Sequence, residues 1–191
     1  MIATTALFTA FFESSYGFYV RMTFESVFKA MLTTPIGVRE VILGEFLWVF
    51  VRAGLMGLGV TLVLLVLGLL PNPWAVLICP FIAGFLSLPC AAIGLLATSW
   101  VRNINQFQTV YSFLIAPIYF LSGVFFPLAE GSMLGRIVQL SPFYHGVRLL
   151  QMSAWGRWTA ADVLYHVAAL VVFSVILCVW ADSSIRKRLT T

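Results

Sequence analysis

Five long apolar runs, separated by short polar segments, divide the chain. Each approaches the roughly 20 residues that an α-helix needs to cross the hydrocarbon layer of a bilayer. Backbone groups left unpaired cannot lie in lipid, so all five runs are expected to be helical. The predicted spans are Met1 to Val20, Phe46 to Leu70, Trp74 to Trp100, Phe107 to Phe126 and Val163 to Ala181. The pattern predicts an all-α integral membrane protein, a polytopic helical bundle that forms a single domain over residues 1–191.

The polar segment from Arg21 to Glu45 is the part of the first hundred residues where charges recur. Read at a helical period, its apolar residues form one stripe, and Glu25 and Lys29 stand four apart on another face. Pro35 then breaks the helical pattern. We predict a short amphipathic coupling helix at the membrane surface, which receives force from a separate cytosolic engine. The candidate contact residues are Phe24, Glu25, Phe28, Lys29, Met31 and Leu32.

Lysine and arginine residues set the predicted orientation, because cytoplasmic loops carry an excess of them. With the 21–45 connector inside, the cytoplasmic side holds seven basic residues and the opposite side three. The two sets are Arg21, Lys29, Arg39, Arg102, Arg186, Lys187 and Arg188, against Arg136, Arg148 and Arg157. The apolar start has no basic leader and no small-residue cleavage site, so it is not a signal peptide. Met1 is then outside, and we expect the authentic protein to begin upstream, with one more span.

Composition agrees with the membrane class. The chain is 61% hydrophobic and 9% charged, with a mean hydropathy of +1.01, whereas a soluble domain carries roughly 25% charged residues. The net charge of +4 does not indicate nucleic-acid binding, because the basic residues are scattered or flank apolar runs. All three cysteines lie inside apolar runs and are expected to be small buried residues. They are Cys79, Cys90 and Cys178.

Small residues recur every fourth position in the third span, which two prolines, Pro80 and Pro89, interrupt. Such rows let helix backbones approach closely in lipid, although glycine and alanine are also simply common in membrane helices. The rows are Ala83, Ser87 and Ala91, and Cys90, Gly94 and Thr98.

The segment from Pro127 to Arg157 is too apolar for an ordinary loop and too broken for a span. Ser141 followed by Pro142 predicts a helix start, and Gly156 predicts its end. A second short helix is expected just before it, around Met133 to Leu140. Two short re-entrant helices in the outer leaflet fit this pattern, and a hairpin lying on the surface fits it equally well.

The chain offers little catalytic chemistry. Neither of its two lysines follows a glycine, so it has no phosphate-binding loop for ATP. Glu13 and Arg52 are predicted to form an intramembrane ion pair, which either orients two helices or takes part in gating. His145 and His166 look isolated, which argues against a metal site.

An enzyme interpretation rests on Ser122 and His166, which lie near the outer ends of their predicted spans. A serine and a histidine are the pair that an intramembrane serine protease needs. Ser122 lacks the preceding glycine of a nucleophile turn, and no oxyanion donor is evident. A purely structural membrane scaffold is the third alternative.

Aromatic residues crowd the fourth span and its outer flank. They are expected to serve as an interfacial belt and core packing, or to line a substrate path, because aromatic faces suit both acyl chains and sugar rings. The candidate path residues are Tyr111, Tyr119, Phe120, Phe125, Phe126 and Tyr144.

Two stretches carry a family likeness that covers nearly the whole chain. The connector, with its Leu32-Thr33-Thr34-Pro35 run and Ile42-Leu43-Gly44-Glu45, resembles that of type-2 ABC export permeases, and especially the nodulation protein NodJ group. The second stretch resembles the outer segment of the same family. It consists of Leu121-Ser122-Gly123-Val124-Phe125-Phe126-Pro127 followed by Leu140-Ser141-Pro142-Phe143-Tyr144-His145-Gly146-Val147.

The resemblance implies a six-span permease of the bacterial inner membrane, of which this chain lacks the amphipathic first helix and the first span. It implies a dimer of two permease copies that binds an ABC ATPase subunit, NodI-like in that group. ATP and magnesium would then bind in the partner subunit, and this chain would need no cofactor. The implied cargo is an amphiphilic lipo-oligosaccharide, with drugs or polysaccharide as alternatives.

Overall fold

A computed structural model describes residues 1–25, 27–31, 33, 35–121, 138–156 and 158–190 of the chain. The described helices, in chain order, are α1 (Ile2–Phe12), α2 (Phe18–Thr23), α3 (Val27–Met31), α4 (Val38–Val66), α5 (Ala75–Trp100), α6 (Gln106–Val110), α7 (Ala116–Leu121), α8 (Pro142–Trp155) and α9 (Ala160–Thr190). A π-helical turn, Glu13–Gly17, joins α1 to α2, and a second, Tyr111–Ile115, joins α6 to α7. The described residues contain no strand, as the all-α prediction requires.

Three described helices are long and apolar enough to cross a membrane, judged by length and composition. They are Val38–Val66, Ala75–Trp100 and Ala160–Lys187, and they contain most of the second, third and fifth predicted spans. The first predicted span lies within the helical path from Ile2 to Thr23. The end of the fourth, including Phe125 and Phe126, falls outside the described residues.

Two helix boundaries differ from the sequence prediction for reasons of capping. α4 begins at Val38 rather than Phe46, after an extended Gly37. Glu40 lies in its first turn, where a negative charge interacts favourably with the positive end of the helix dipole. α9 begins at Ala160 rather than Val163. The Thr159 hydroxyl accepts a hydrogen bond from the backbone N–H of Asp162 and donates one to its carboxylate, which caps the helix.

The predicted interruption of the third span at its prolines is wrong, because α5 runs unbroken through Pro80 and Pro89. Proline is tolerated in such helices where neighbouring helices and side chains satisfy the freed backbone groups. α5 is the centre of the bundle, since it packs against α1, α4, α8 and α9.

The predicted start and end of the short outer helix are confirmed. α8 has Ser141 as its N-cap residue and Pro142 at its first position. It ends at Gly156, whose φ of 64° is the left-handed conformation that glycine adopts without steric cost. The Asn72 side chain donates a hydrogen bond to the Ser153 carbonyl at 3.0 Å, which ties α8 to the turn between α4 and α5. The other predicted outer helix, around Met133, lies mainly outside the described residues.

The small-residue rows of α5 face the core, as predicted. All six members are buried. A β-carbon added at Gly94 would overlap the Ser14 hydroxyl, and one added at Gly57 of α4 would approach the Ala83 β-carbon to 2.9 Å. The helices therefore meet at backbone distance, where only small side chains fit.

Hydroxyl groups satisfy the backbone at the first π-helical turn. Ser14 donates to the Ala10 carbonyl at 2.6 Å, and Ser15 donates to the Phe11 carbonyl. Thr98 of α5 contacts the Ser15 carbonyl at 3.2 Å. A π turn disturbs the regular ladder of hydrogen bonds, so these contacts keep its carbonyl groups paired in an apolar environment.

Replacing Gly94 with alanine tests the close packing of α5 against the first π turn. We expect a loss of about 1–3 kcal/mol in the free energy of unfolding, because the added methyl group overpacks the contact. Gly59→Ala is the matched control, since nothing lies within 4 Å of its added β-carbon. Thermal unfolding in detergent compares the two variants, and equal stability would contradict the proposed contact.

Candidate functional site

Four charged residues connect the first helical segment to α4. Glu13 opens the π turn and Arg21 lies in α2, while Glu45 and Arg52 both belong to α4. The two segments run in opposite directions, so each presents its acid to the base of the other. We call these four residues the charge ladder.

The ladder is continuous. Arg52 Nη1 donates to Glu13 Oε2 at 2.6 Å, and Arg21 Nη2 donates to Glu45 Oε1 at 2.7 Å. Arg21 Nη2 also lies 3.7 Å from Glu13 Oε1, which joins the two pairs. The predicted partners Glu13 and Arg52 are thus brought together, and a second pair that the sequence analysis missed lies beside them. The alternation of acid and base on two antiparallel helices was the signal that could have found it.

Neighbouring groups hold the ladder in place. Trp48 Nε1 donates to Glu13 Oε1 at 3.0 Å, and the Arg52 guanidinium lies 5.9 Å from the centre of the Trp48 ring. Arg21 Nε donates to the Gly17 carbonyl at 3.2 Å. The Glu45 side chain is only 4% exposed, so its charge depends on Arg21. Two acids and two bases cancel, which allows the group to lie in an apolar bundle.

The connector between the two helical segments that carry the charge ladder differs from the predicted helix. α2 ends at Thr23, so Phe24 and Glu25 lie between helices, and α3 covers only Val27–Met31. Phe28 is 5% exposed and packs on Phe18, with ring centres 4.6 Å apart, because the turn after α2 folds α3 back onto that helix. A helical stripe that joins Phe24 to Phe28 is therefore wrong.

The outward-facing part of the connector is smaller than predicted. Phe24 is 67% exposed and Met31 is 40% exposed, and Glu25 is also exposed. Leu32 and the side chain of Lys29 fall outside what the structure describes. Arg21 and Glu45 connect α2 to α4, the helices that precede and follow the connector.

The candidate path residues fall into separate groups. Tyr111 and Tyr119 pack against Phe8 of α1, with ring centres 6.0 and 5.1 Å apart, and the Tyr119 hydroxyl donates to Thr4 at 2.7 Å. Phe120 touches Tyr119 and is 54% exposed. Tyr144 lies instead beside two histidines. Phe125 and Phe126 are outside the described residues.

His145 and His166, which looked isolated in sequence, are in contact. Their Nδ1 atoms lie 2.7 Å apart, and His145 Nε2 lies 2.9 Å from the Gln139 carbonyl. A carbonyl only accepts, so His145 carries its proton on Nε2, and His166 Nδ1 donates to His145 Nδ1 when both rings are neutral. Burial lowers the pKa of His145 from its ordinary 6.5, although the Gln139 carbonyl opposes this effect. The described residues include no group of three or more histidines, cysteines or carboxylates that could hold a metal ion.

The fold and the paired charges define a polytopic helical membrane protein. Comparison with known protein families identifies the class: residues 1–155 match the model of the ABC-2 type transporter family. The chain belongs to this family and is therefore the membrane subunit of an ABC transporter, a class that works with an ABC ATPase partner.

Several curated relatives share the name nodulation protein J. The protein from Rhizobium leguminosarum bv. trifolii is 31% identical over 99% of this chain and 72% of the relative. The protein from Neorhizobium galegae is 29% identical over 100% of this chain and 72% of its own length. The protein from Rhizobium meliloti (strain 1021) is 27% identical over 99% of this chain and 72% of its own length. No solved structure matches.

The serine protease hypothesis gains no support. The matching family is a transporter family, and His166 contacts His145 through Nδ1. Ser122 lies outside the described residues.

Neutralising one member of the buried ladder pair should destabilise the protein. Arg21→Gln leaves Glu45 without its cation, so we expect a loss of about 3–5 kcal/mol in the free energy of unfolding. Adding Glu45→Gln should recover most of that loss. Arg186→Gln is the control: its partner Asp182 lies 3.1 Å away on the same helix, both side chains are partly exposed, and such i,i+4 pairs contribute about 0.3–0.5 kcal/mol. The stability losses are measured by thermal unfolding. If the loss in the double variant equals the sum of the losses in the two single variants, the coupling between Arg21 and Glu45 is contradicted.

Acidification should destabilise the histidine pair. Because the folded pKa of His145 lies below its ordinary 6.5, its contribution to stability is complete above about pH 6.5 and is lost as the pH falls through the folded pKa. His145→Gln keeps a donor for the Gln139 carbonyl but does not titrate. Unfolding temperatures measured across this pH range should fall more steeply for the wild type than for the variant; parallel curves would oppose the assignment.

Proposed function

We propose that the chain is the permease subunit of an ATP-driven exporter in the bacterial inner membrane. Its cargo is an amphiphilic lipo-oligosaccharide, and no covalent chemistry takes place in this chain. ATP and magnesium bind in a separate ATPase subunit, NodI-like, and two permease copies assemble around the path. Membership of the ABC-2 family and the relatives named nodulation protein J support this proposal.

The observation that carries the proposal is the position of the connector. Phe24, Glu25 and Met31 are exposed beside α3, which provides a small apolar and acidic surface for a partner. The charge ladder begins at Arg21, three residues before Phe24, and its partner Glu45 lies in α4, the helix that follows the connector. A push on the connector would therefore move α2 and α4 together as one rigid unit, in the manner of rigid-body gating.

The proposed topology has five spans in this chain. Three of them are the long apolar helices. The other two are the helical path from Ile2 to Thr23 and the segment that starts at α6. The connector, Arg102 and the end of α9 lie on the cytoplasmic side, because their basic residues outnumber those of the opposite side. α8 and the segment before it form the re-entrant pair of the outer leaflet.

A cavity beside the first helix suits the polar end of the proposed cargo. It has a volume of about 340 Å³ and lies between the first helical segment and α6. Phe12, Tyr16 and Tyr111 supply aromatic faces, and Asn105 and Gln108 supply amide donors and acceptors. Sugar rings stack on aromatic faces and form hydrogen bonds with amide groups. Tyr111 also contacts Phe8, which in turn packs against Tyr119.

Phe24→Asp should uncouple ATP hydrolysis from export, because it places a charge on the exposed docking surface and leaves the core intact. The measurement is cargo uptake into inverted vesicles that contain the permease and its ATPase, with ATP hydrolysis followed in parallel. Phe24→Leu, which keeps an apolar side chain, should retain most of the export.

A second control separates docking from folding. Phe28→Asp should reduce the amount of folded protein, because this side chain is buried against Phe18. Unchanged export by Phe24→Asp would refute the role of the connector.

A further inference from the structure

A basic cleft lies where the end of α5, the loop after it and the end of α9 come together. Its volume is about 660 Å³. It is lined by Ser99, Trp100, Val101, Arg102, Ser184 and Lys187. Among these residues are two bases and two hydroxyl groups but no acid. None of them belongs to the charge ladder, to the exposed connector surface or to the cavity proposed for the cargo.

The geometry points to a binding site for the phosphate of an anionic phospholipid, such as phosphatidylglycerol, in the cytoplasmic leaflet. Basic pockets between membrane helices on this side are the recognised setting for anionic head groups. The proposal rests on the orientation proposed above but not on export.

Arg102 is the central residue of the cleft. Its backbone is held on both sides, because its N–H donates to Gln106 Oε1 at 2.8 Å and its carbonyl accepts from the Tyr19 hydroxyl at 2.7 Å. Its guanidinium group makes no hydrogen bond or ion pair within the described part of the chain, and the residue is exposed. A fixed backbone that carries an uncommitted guanidinium group is well suited to a phosphate ligand, which arginine can bind through two hydrogen bonds.

The carboxylate of Asp182, two residues before Ser184 on α9, is already engaged. Asp182 forms an ion pair with Arg186 at 3.1 Å, one turn apart on α9. The sequence continues with Lys187 and Arg188, so positive charge dominates this end of the helix. An anionic group entering the cleft therefore meets the guanidinium group of Arg102, and the lining residues include no acid.

Two tryptophans place the cleft at the depth of the head groups. Trp100 and Trp180 form an edge-to-face pair with ring centres 6.3 Å apart, and they are 66% and 51% exposed. Exposed tryptophan at the ends of spans is typical of the boundary between lipid tails and water. A lipid bound in the cleft would place its glycerol backbone beside these rings.

The flank of α9 below the cleft provides surface for the acyl chains. Ile176, Trp180 and Lys187 recur at spacings of four and seven, so they share one helix face. Ile176 is 58% exposed. The combination of a basic head and an apolar flank on one face distinguishes a phospholipid from free phosphate, which would use only the upper part.

Native mass spectrometry of the full chain tests the proposal. The protein, purified in detergent, is incubated with equal amounts of phosphatidylglycerol and phosphatidylethanolamine, and the retained lipid is counted. We expect the wild type to retain phosphatidylglycerol and Arg102→Gln to retain it about fivefold more weakly, with a larger loss in the double variant with Lys187→Gln. Arg102→Lys should restore part of the binding.

Matched controls decide between a site and general electrostatics. Arg39→Gln removes one exposed positive charge from the same side of the protein, and it should leave lipid retention unchanged. Equal losses for Arg39→Gln and Arg102→Gln would overturn the proposal, as would displacement of the lipid by inorganic phosphate. Circular dichroism excludes misfolding as the cause of a loss.

A further outcome concerns the ATPase partner. If Arg102→Gln abolishes co-purification of the ATPase and leaves phosphatidylglycerol retention intact, the cleft is a protein interface and the lipid assignment is wrong. Export plays no part in these measurements, so failure of the lipid site and failure of the transport proposal remain distinguishable.

Discussion

The bundle depends on one constraint: a polar group inside an apolar assembly of helices must have a partner. The first helical segment meets this constraint twice at the same place. Its π turn frees carbonyl groups that Ser14, Ser15 and Thr98 contact, and it also presents Glu13 to Arg52. Thr98 belongs to α5 and Arg52 to α4, so the turn is fixed against both of these helices.

This arrangement bears on how the membrane subunit of an ABC transporter could move. The charge ladder ties the first helical segment to α4, and its member Arg21 lies three residues before the exposed Phe24. Small residues of α5 let the π turn and α4 approach to backbone distance. A tightly packed body moves as a unit rather than deforming, so a small displacement at the connector can be transmitted along whole helices.

Particular residues show how far sequence reasoning reached. The helix at Pro142–Trp155 was predictable because its start and stop signals, Ser141 with Pro142 and then Gly156, act locally. The helical period groups Phe28 with the exposed contact residues, whereas the side chain is buried, because a period does not say where the chain turns between α2 and α3. Pro80 and Pro89 indicate interruptions by their local chemistry, but neighbouring helices support an unbroken helix there.

Apolar run length, family motifs and helix-capping residues are properties of short stretches, so the sequence by itself determined the membrane class, the family and most of the described helices. Tertiary structure alone decided which distant side chains meet. Arg21 forms an ion pair with Glu45, His145 contacts His166, and Arg102 lines the same cleft as Lys187. Each of these contacts depends on the relative rotation and depth of two helices, and that arrangement is set by the packing of the whole bundle rather than by any local pattern.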